Sequence, residues 1–324
     1  MKKSIFLLAA AAAAFASCTQ NEVMEVAENR AIGFNEAADI TSANFRNFIV
    51  YGGYADNTDL FNGVEVSSSD GSTWSYNDPR YWVVGTYNFA GYAPKANGIT
   101  PTWDYTAGLT LKVNSDKDNQ NDVIYASNNN ITCTGSEERM DDVQLTFSHL
   151  LSKIQFKFVK AADLNATTVT MTNFKVGYAK EDGTTGQIIT DGTWAAGSLT
   201  EGTTKGGYED FSTGEVIDGT TGLSTDAYYV IPQTPTALDI TANVLVSDGV
   251  TTITDGTISA TLPIDVISSW VANNVYVYTA TISINNIDDG DDDPDNDPKP
   301  IVFTGSVNSW DDTPDTDNVD LTQP

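Results

Sequence analysis

"NNVYVYTATISINNI", residues Asn273 to Ile287, reads as a β-strand from its alternation alone. Tyr276, Tyr278, Ala280, Ile282 and Ile284 fall on one face, and Val277, Thr279, Thr281 and Ser283 on the other. The tyrosine-bearing face is the expected core face. The same pattern extends along the chain. Short runs rich in Val, Ile, Thr and Tyr alternate with clusters of Gly, Asn, Asp and Ser, and helical periodicity almost vanishes after residue 20. Strands are predicted at Phe48–Tyr51, Tyr87–Ala90, Asp122–Ala126, Gln144–Phe147, Ile154–Val159, Thr168–Val176, Tyr228–Ile231 and Asp239–Ser247. This spacing of short strands and turn residues predicts an all-β fold of sandwich type.

Helical turns are expected only at "HLLSK" (His149 to Lys153) and "DVISSW" (Asp265 to Trp270), and long polar loops at Asn114–Asn121 and Glu181–Gly186. No internal repeat is present. The polar stretch "CTGSEERMDD", from Cys133 to Asp142, is the expected boundary between a domain over 31–140 and a second over 141–324.

Directly after the strand that opens this reading, seven aspartates crowd into Asp288 to Asp297. A second alternating stretch, "IVFTGSVNSW", then follows. Ile301, Phe303, Gly305 and Val307 share one face; Val302, Thr304, Ser306, Asn308 and Trp310 share the other. A hairpin needs about 2 to 5 loop residues. The acidic tether from Asp288 to Pro300 has 13. At about 3.3–3.6 Å per residue it reaches about 40 Å when extended, and its repelling charges and prolines are expected to hold it extended.

The start of the chain has a different character. "MKK" followed by "SIFLLAAAAAAFA" is a basic segment and an apolar, alanine-rich one, the form of a secretory signal. It ends "FASC", with small residues before Cys18, as in bacterial lipoprotein signals whose cysteine is lipidated and becomes the mature N-terminus. Taking the seventeen residues before Cys18 from 324 leaves 307, enough for two domains. With Cys18 so used, Cys133 is the only other cysteine and no intramolecular disulfide forms. The formal net charge of -28 disfavours nucleic acid and anionic lipid as electrostatic partners. No later stretch is apolar enough to span a membrane, so the lipid on Cys18 is the expected membrane contact.

Catalytic groups are scarce. The single histidine, His149, sits among apolar residues and reads as a packed side chain; pairing it with Cys133 as a thiol dyad has no support around "NITCTGS". The nucleophile-elbow, zincin, C-x-x-C and phosphate-loop patterns are all missing from the sequence, and no enzyme activity or cofactor is expected. Asp291, Asp293 and Asp295 have the alternate spacing of a calcium loop. Asn296 and Val302 nevertheless stand where that loop needs glycine and a bidentate glutamate, and a block of like charges is ordinarily solvated chain. Trp74, Tyr76, Tyr81, Trp82 and Tyr87 are either a sugar-stacking platform or core and rim residues.

Six segments, "WSYNDPRYWVVGTYNFAGYAP", "NDVIYAS", "VQLTFSHLLSKIQFKF", "YYVIPQT", "WVANNVYVYTATI" and "IVFTGSVNSWDD", occur in this order. In that order they resemble fimbrillin-like proteins, the type V pilins and related surface lipoproteins of Bacteroides-like bacteria. The resemblance runs from about Ile32 to Trp310. It implies two tandem β-sandwich domains of transthyretin or Greek-key-like type behind a lipoprotein signal, with the mature protein at the outer membrane in a surface fimbrium. It further implies that a trypsin-like protease cuts after an arginine and the first strand leaves. A terminal strand of the next subunit then fills the groove by β-augmentation. On that scheme residues 19–46 contain the removable part. Arg46 or Arg30 is the cleavage site, and Ile301, Phe303, Val307 and Trp310 belong to the donor strand. Partners would be other fimbrial subunits, the surface protease, outer-membrane lipid through Cys18, and a host or bacterial surface ligand. The alternative is a non-polymerising surface lipoprotein that binds glycans through exposed aromatics.

Overall fold

The computed structural model describes residues 30–38, 45–115, 119–137, 139–178, 184–188, 192–195, 208–234, 237–263, 269–290, 298–299, 301–310 and 319–322. Cys18, residues 19–29 and the aspartates from 291 to 297, including Asp291, Asp293 and Asp295, lie outside them. So does most of "DVISSW".

The fold is all-β, as its alternating pattern requires. The first half is a seven-stranded sheet in the order Phe34–Ala38, Val143–His149, Ile124–Cys133, Gly85–Ala93, Asn47–Tyr54, Asn57–Ser68, Trp74–Ser75. Only the pair at its Phe34 edge is parallel, with Phe34 opposite Val143 and Ala38 opposite Phe147. A three-stranded sheet of Thr184–Ile188, Gly108–Ser115 and Ile99–Asp104 lies against one face. The seven-stranded sheet is curled. The Phe34 and Phe61 rings sit 5.2 Å apart, yet their strands are five steps apart in the order, about 24 Å on a flat sheet at about 4.8 Å per step. Curling gives the sheet a filled inner face, built from Phe34, Phe48, Phe61, Trp82, Tyr87, Phe89 and Phe147. Its outer face is buried too, because Ile49, Tyr51 and Tyr92 meet Leu109, Leu111 and Val113 of the smaller sheet. That is why "FIVYGG" of Asn47–Tyr54 is buried without interruption instead of alternating.

The second half is a sandwich. One layer holds Leu223–Ser224, Ser152–Lys160, Asn274–Ile282, Phe303–Ser309 and Val319–Thr322 in that order, with Tyr228–Val230 also on Ser152–Lys160. The other holds Tyr208–Asp210, Thr168–Tyr178, Ala237–Ser247 and Thr252–Pro263, with Glu215–Val216 on Thr168–Tyr178. Tyr276, Tyr278, Ala280 and Ile282 point into the core between the layers, the face expected from alternation. Ile284 begins a short 3-10 turn and packs at the core's margin.

Three expectations need correction. "HLLSK" is not helical: His149 ends one strand, Ser152 begins the next, and Leu150 and Leu151 are buried as the chain crosses between the halves. Both leucines enter one core cluster with Val123, Tyr125 and Ile231, which accounts for the apolar pair without a helix. The loop predicted over Glu181–Gly186 contains the start of the Thr184–Ile188 strand, which pairs with Gly108–Ser115 across the halves. The chain leaves the first sheet at His149, so Val143–His149 belongs with the first half although it lies beyond residue 140.

Candidate assembly site

The first strand is held from both sides. The backbone of the segment before it donates from Ile32 N to the Arg80 carbonyl at 2.7 Å and accepts at the Arg30 carbonyl from Trp82 N at 2.8 Å. On the other side the Gly33 carbonyl accepts from Val143 N at 2.8 Å, and the parallel ladder to Phe147 follows. Residues 30–38 therefore form the stave that closes the curled sheet. Its side chains are equally committed. Ile32 and Phe34 are 1% and 4% exposed, and the Phe34 ring meets Phe48, Phe61, Tyr76 and Phe89 edge-on. The Tyr76 hydroxyl donates to the Ile32 carbonyl at 2.7 Å.

The arginines differ in their surroundings. Arg46 is exposed, just before Asn47–Tyr54; its Nη1 donates to the Phe45 carbonyl at 2.8 Å and its own carbonyl accepts from Ser68 N. Arg30 is half-buried, with Nη2 3.7 Å from the Cys133 Sγ. Arg80 is caged: Nε donates to the Leu60 carbonyl at 2.6 Å, Nη1 to the Asp78 carbonyl at 2.7 Å, and the guanidinium lies over the Phe61 ring. Arg139 is exposed.

The final strand lies in the second sandwich. Phe303–Ser309 pairs antiparallel with Asn274–Ile282, Phe303 opposite Ala280 and Ser309 opposite Asn274. Val319–Thr322 covers its outer edge. Ile301 and Phe303 are buried, Gly305 is buried opposite Tyr278, and Val307 packs at the core's margin. Val302 and Thr304 are exposed, as the alternation predicts, but Trp310 is 8% exposed. It shares the sequence phase of the solvent face and is buried because the junction between the halves covers it. The tether also departs from expectation. Asn286 Nδ2 donates to the Lys299 carbonyl at 3.0 Å and Lys299 N to the Asn285 carbonyl at 2.7 Å. Asp288 and Thr257 exchange two backbone bonds of 2.8 Å. The tether begins and ends in one place, so in the folded chain it closes a loop instead of crossing a domain.

His149 and Cys133 do not meet. His149 pairs with Ile124, at the opposite end of the Ile124–Cys133 strand, so about 30 Å separates the two at about 3.3 Å per residue. The aromatic run is interior: Trp82 and Tyr87 are buried, Trp74 and Tyr76 half-buried, and Tyr81 alone is exposed. Among the described residues no group of three or more His, Cys, Asp or Glu is placed to hold a metal ion. The cluster around Trp310 (His149, Asp122, Tyr229 and Lys153) was missed in the sequence. Its members are scattered from 122 to 310, and only the burial of a lone histidine hinted at it.

Two β-layered halves, a closing N-terminal stave and a C-terminal strand reached through a closed loop define a tandem β-sandwich protein. A family model described as Fimbrillin-like matches residues 37–310. The chain belongs to the Fimbrillin-like family. Among solved structures it is similar to a fimbrial protein from Bacteroides vulgatus, with 17% identity over 87% of this chain and 100% of that one and a TM-score of 0.58. It is also similar to a candidate cell adhesion protein from Bacteroides ovatus, with 13% identity over 86% of this chain and 96% of that one and a TM-score of 0.51. No curated protein matches the chain.

Proposed function

We propose that this protein is a structural subunit of a surface fimbria, exported as a lipoprotein through Cys18 and assembled by strand exchange after a trypsin-like protease cuts at Arg46. Family membership supports the fimbrial role. The observation that carries the finer reading is the stave: residues 30–38 seal the curled sheet through backbone bonds on both sides, and the exposed Arg46 follows them. Cleavage there frees a segment whose departure uncovers the Ile32 and Phe34 pockets and an open edge along Val143–His149. A strand of a second subunit, with Ile301, Phe303 and Val307 on one face, supplies backbone bonds and apolar side chains of the kind such an edge accepts. Cleavage at Arg30 leaves Ile32 and Phe34 in place, so Arg46 is the site this geometry favours. The glycan-binding alternative gains little, because Trp82 and Tyr87 lie in the core, Trp74 and Tyr76 pack against it, and Tyr81 is the one exposed ring of the five.

The test is the mature N-terminus of the surface form, read by mass spectrometry, together with polymer formation by an Arg46→Gln chain. An N-terminus at Asn47 and loss of polymers in the variant are expected. An N-terminus at Ala31 or at a lipidated Cys18 in assembled polymers overturns cleavage at Arg46.

A further inference from the structure

We propose that Trp310 is a clasp that makes the seating of the final strand and the closure of the junction between the two halves a single event. The indole stacks on two rings from different parts of the molecule. One is His149, the last residue of the first sheet, at 4.3 Å with planes 16° apart. The second is Tyr229 of the second half, at 5.6 Å and 19°. Lys153 Nζ sits 5.1 Å from the indole centroid, within cation–π range. Both rings are anchored in the first half. His149 Nδ1 is 2.7 Å from Asp122 Oδ1, and Tyr229 N donates to Gln120 Oε1 at 2.8 Å.

The backbone repeats the connection. Trp310 N donates to the Asn273 carbonyl at 3.0 Å, Asn273 N to the Leu151 carbonyl at 3.0 Å, and Leu150 N to the Val123 carbonyl at 2.8 Å. A continuous path of rings and amides thus leads from the end of the final strand to the first half's sheet. Beneath it Leu150, Leu151, Ile231, Val123 and Tyr125 form one core drawn from both halves. Withdrawing the strand removes the indole and leaves His149 and Tyr229 without their shared partner, so the junction loosens with it. The inference holds for the folded chain whether or not the strand is exchanged between subunits. If it is exchanged, donating the strand also frees the two halves to reorient.

Hydrogen exchange on the full chain tests this, comparing Trp310→Ala, Trp310→Phe and His149→Ala. Each aromatic contact of this kind contributes enough to change local opening by up to about tenfold. Trp310→Ala should speed exchange by roughly that factor in Phe303–Ser309 and equally at Leu150 and Asn273, with most protection restored by Trp310→Phe. Faster exchange confined to Phe303–Ser309 overturns the clasp. Should Trp310→Ala fail to fold, His149→Ala decides. It alters no residue of the final strand, yet it should accelerate exchange there, and unchanged protection in that strand overturns the proposal.

Discussion

At the scale of single residues, the closing stave rests on Phe34. Its ring meets four aromatic neighbours and is nearly fully buried. Truncating a buried phenylalanine to alanine costs about 3–5 kcal/mol. Phe34→Ala should lower unfolding stability by an amount in that range in chemical denaturation of the uncleaved chain. A loss below about 1 kcal/mol would show that the stave is not seated as described. A second residue-scale effect comes from carboxylates that cap turns. Thr134 and neighbouring amides hold the Glu137 carboxyl down to about 2. Amides of Thr73 and Ser72 hold Asp70 well below the usual range, and Asp218 and Asp248 are lowered by amides at Thr221 and Thr251. All four are depressed in the folded state, so the unfolded chain binds more protons as the medium is acidified. Their contribution is present above the unfolded value near 4 and is lost as pH falls through the folded values. Urea midpoints should hold between pH 7 and 5 and fall between pH 4 and 2, with a smaller fall in Glu137→Gln. An acid limb unchanged in that variant would remove Glu137 from the account.

Between elements, the question is which segments a protease reaches. Arg30 and Arg80 are half-buried with their carbonyls in the seam, whereas Arg46, though its carbonyl accepts from Ser68 N, and Arg139 have exposed side chains. Brief treatment of the folded chain with an arginine-specific protease should cut at Arg46 or Arg139 before Arg30 or Arg80. After a cut at Arg46, with no incoming strand present to replace it, the stave should stay bound through its ladder to Val143–His149 and its bonds to Arg80 and Trp82. Gel filtration of the nicked protein should give one species, separating only in denaturant. Early products beginning at Ala31 or Tyr81 would contradict this picture of the seam.

For the whole molecule, the junction decides what counts as a domain. Val143–His149 lies between the Phe34 stave and Ile124–Cys133. A fragment of residues 31–140 therefore lacks the strand that the stave pairs with. It also lacks Thr184–Ile188, which flanks Gly108–Ser115. This fragment should show no cooperative thermal transition by circular dichroism. A cooperative transition would restore the boundary at residue 140.

The sequence by itself determined the all-β class and placed strands such as Thr168–Tyr178, Ala237–Ser247 and Asn274–Ile282, because alternation with period two is written locally, but it did not single out the two twelve-residue strands Asn57–Ser68 and Thr252–Pro263. In Asn274–Ile282 and Phe303–Ser309 it also determined which face is buried. It carried the family resemblance as well, through six ordered segments. Only the tertiary structure decided that the seven-stranded sheet curls until Phe34 meets Phe61, that Leu150 and Leu151 cross between halves, and that the acidic tether returns to its starting point. It alone buried Trp310 against His149 and Tyr229. These outcomes depend on contacts between residues far apart in the chain. Local patterning specifies a strand and its apolar face, but the surface that face meets is fixed only when the sheets close on one another.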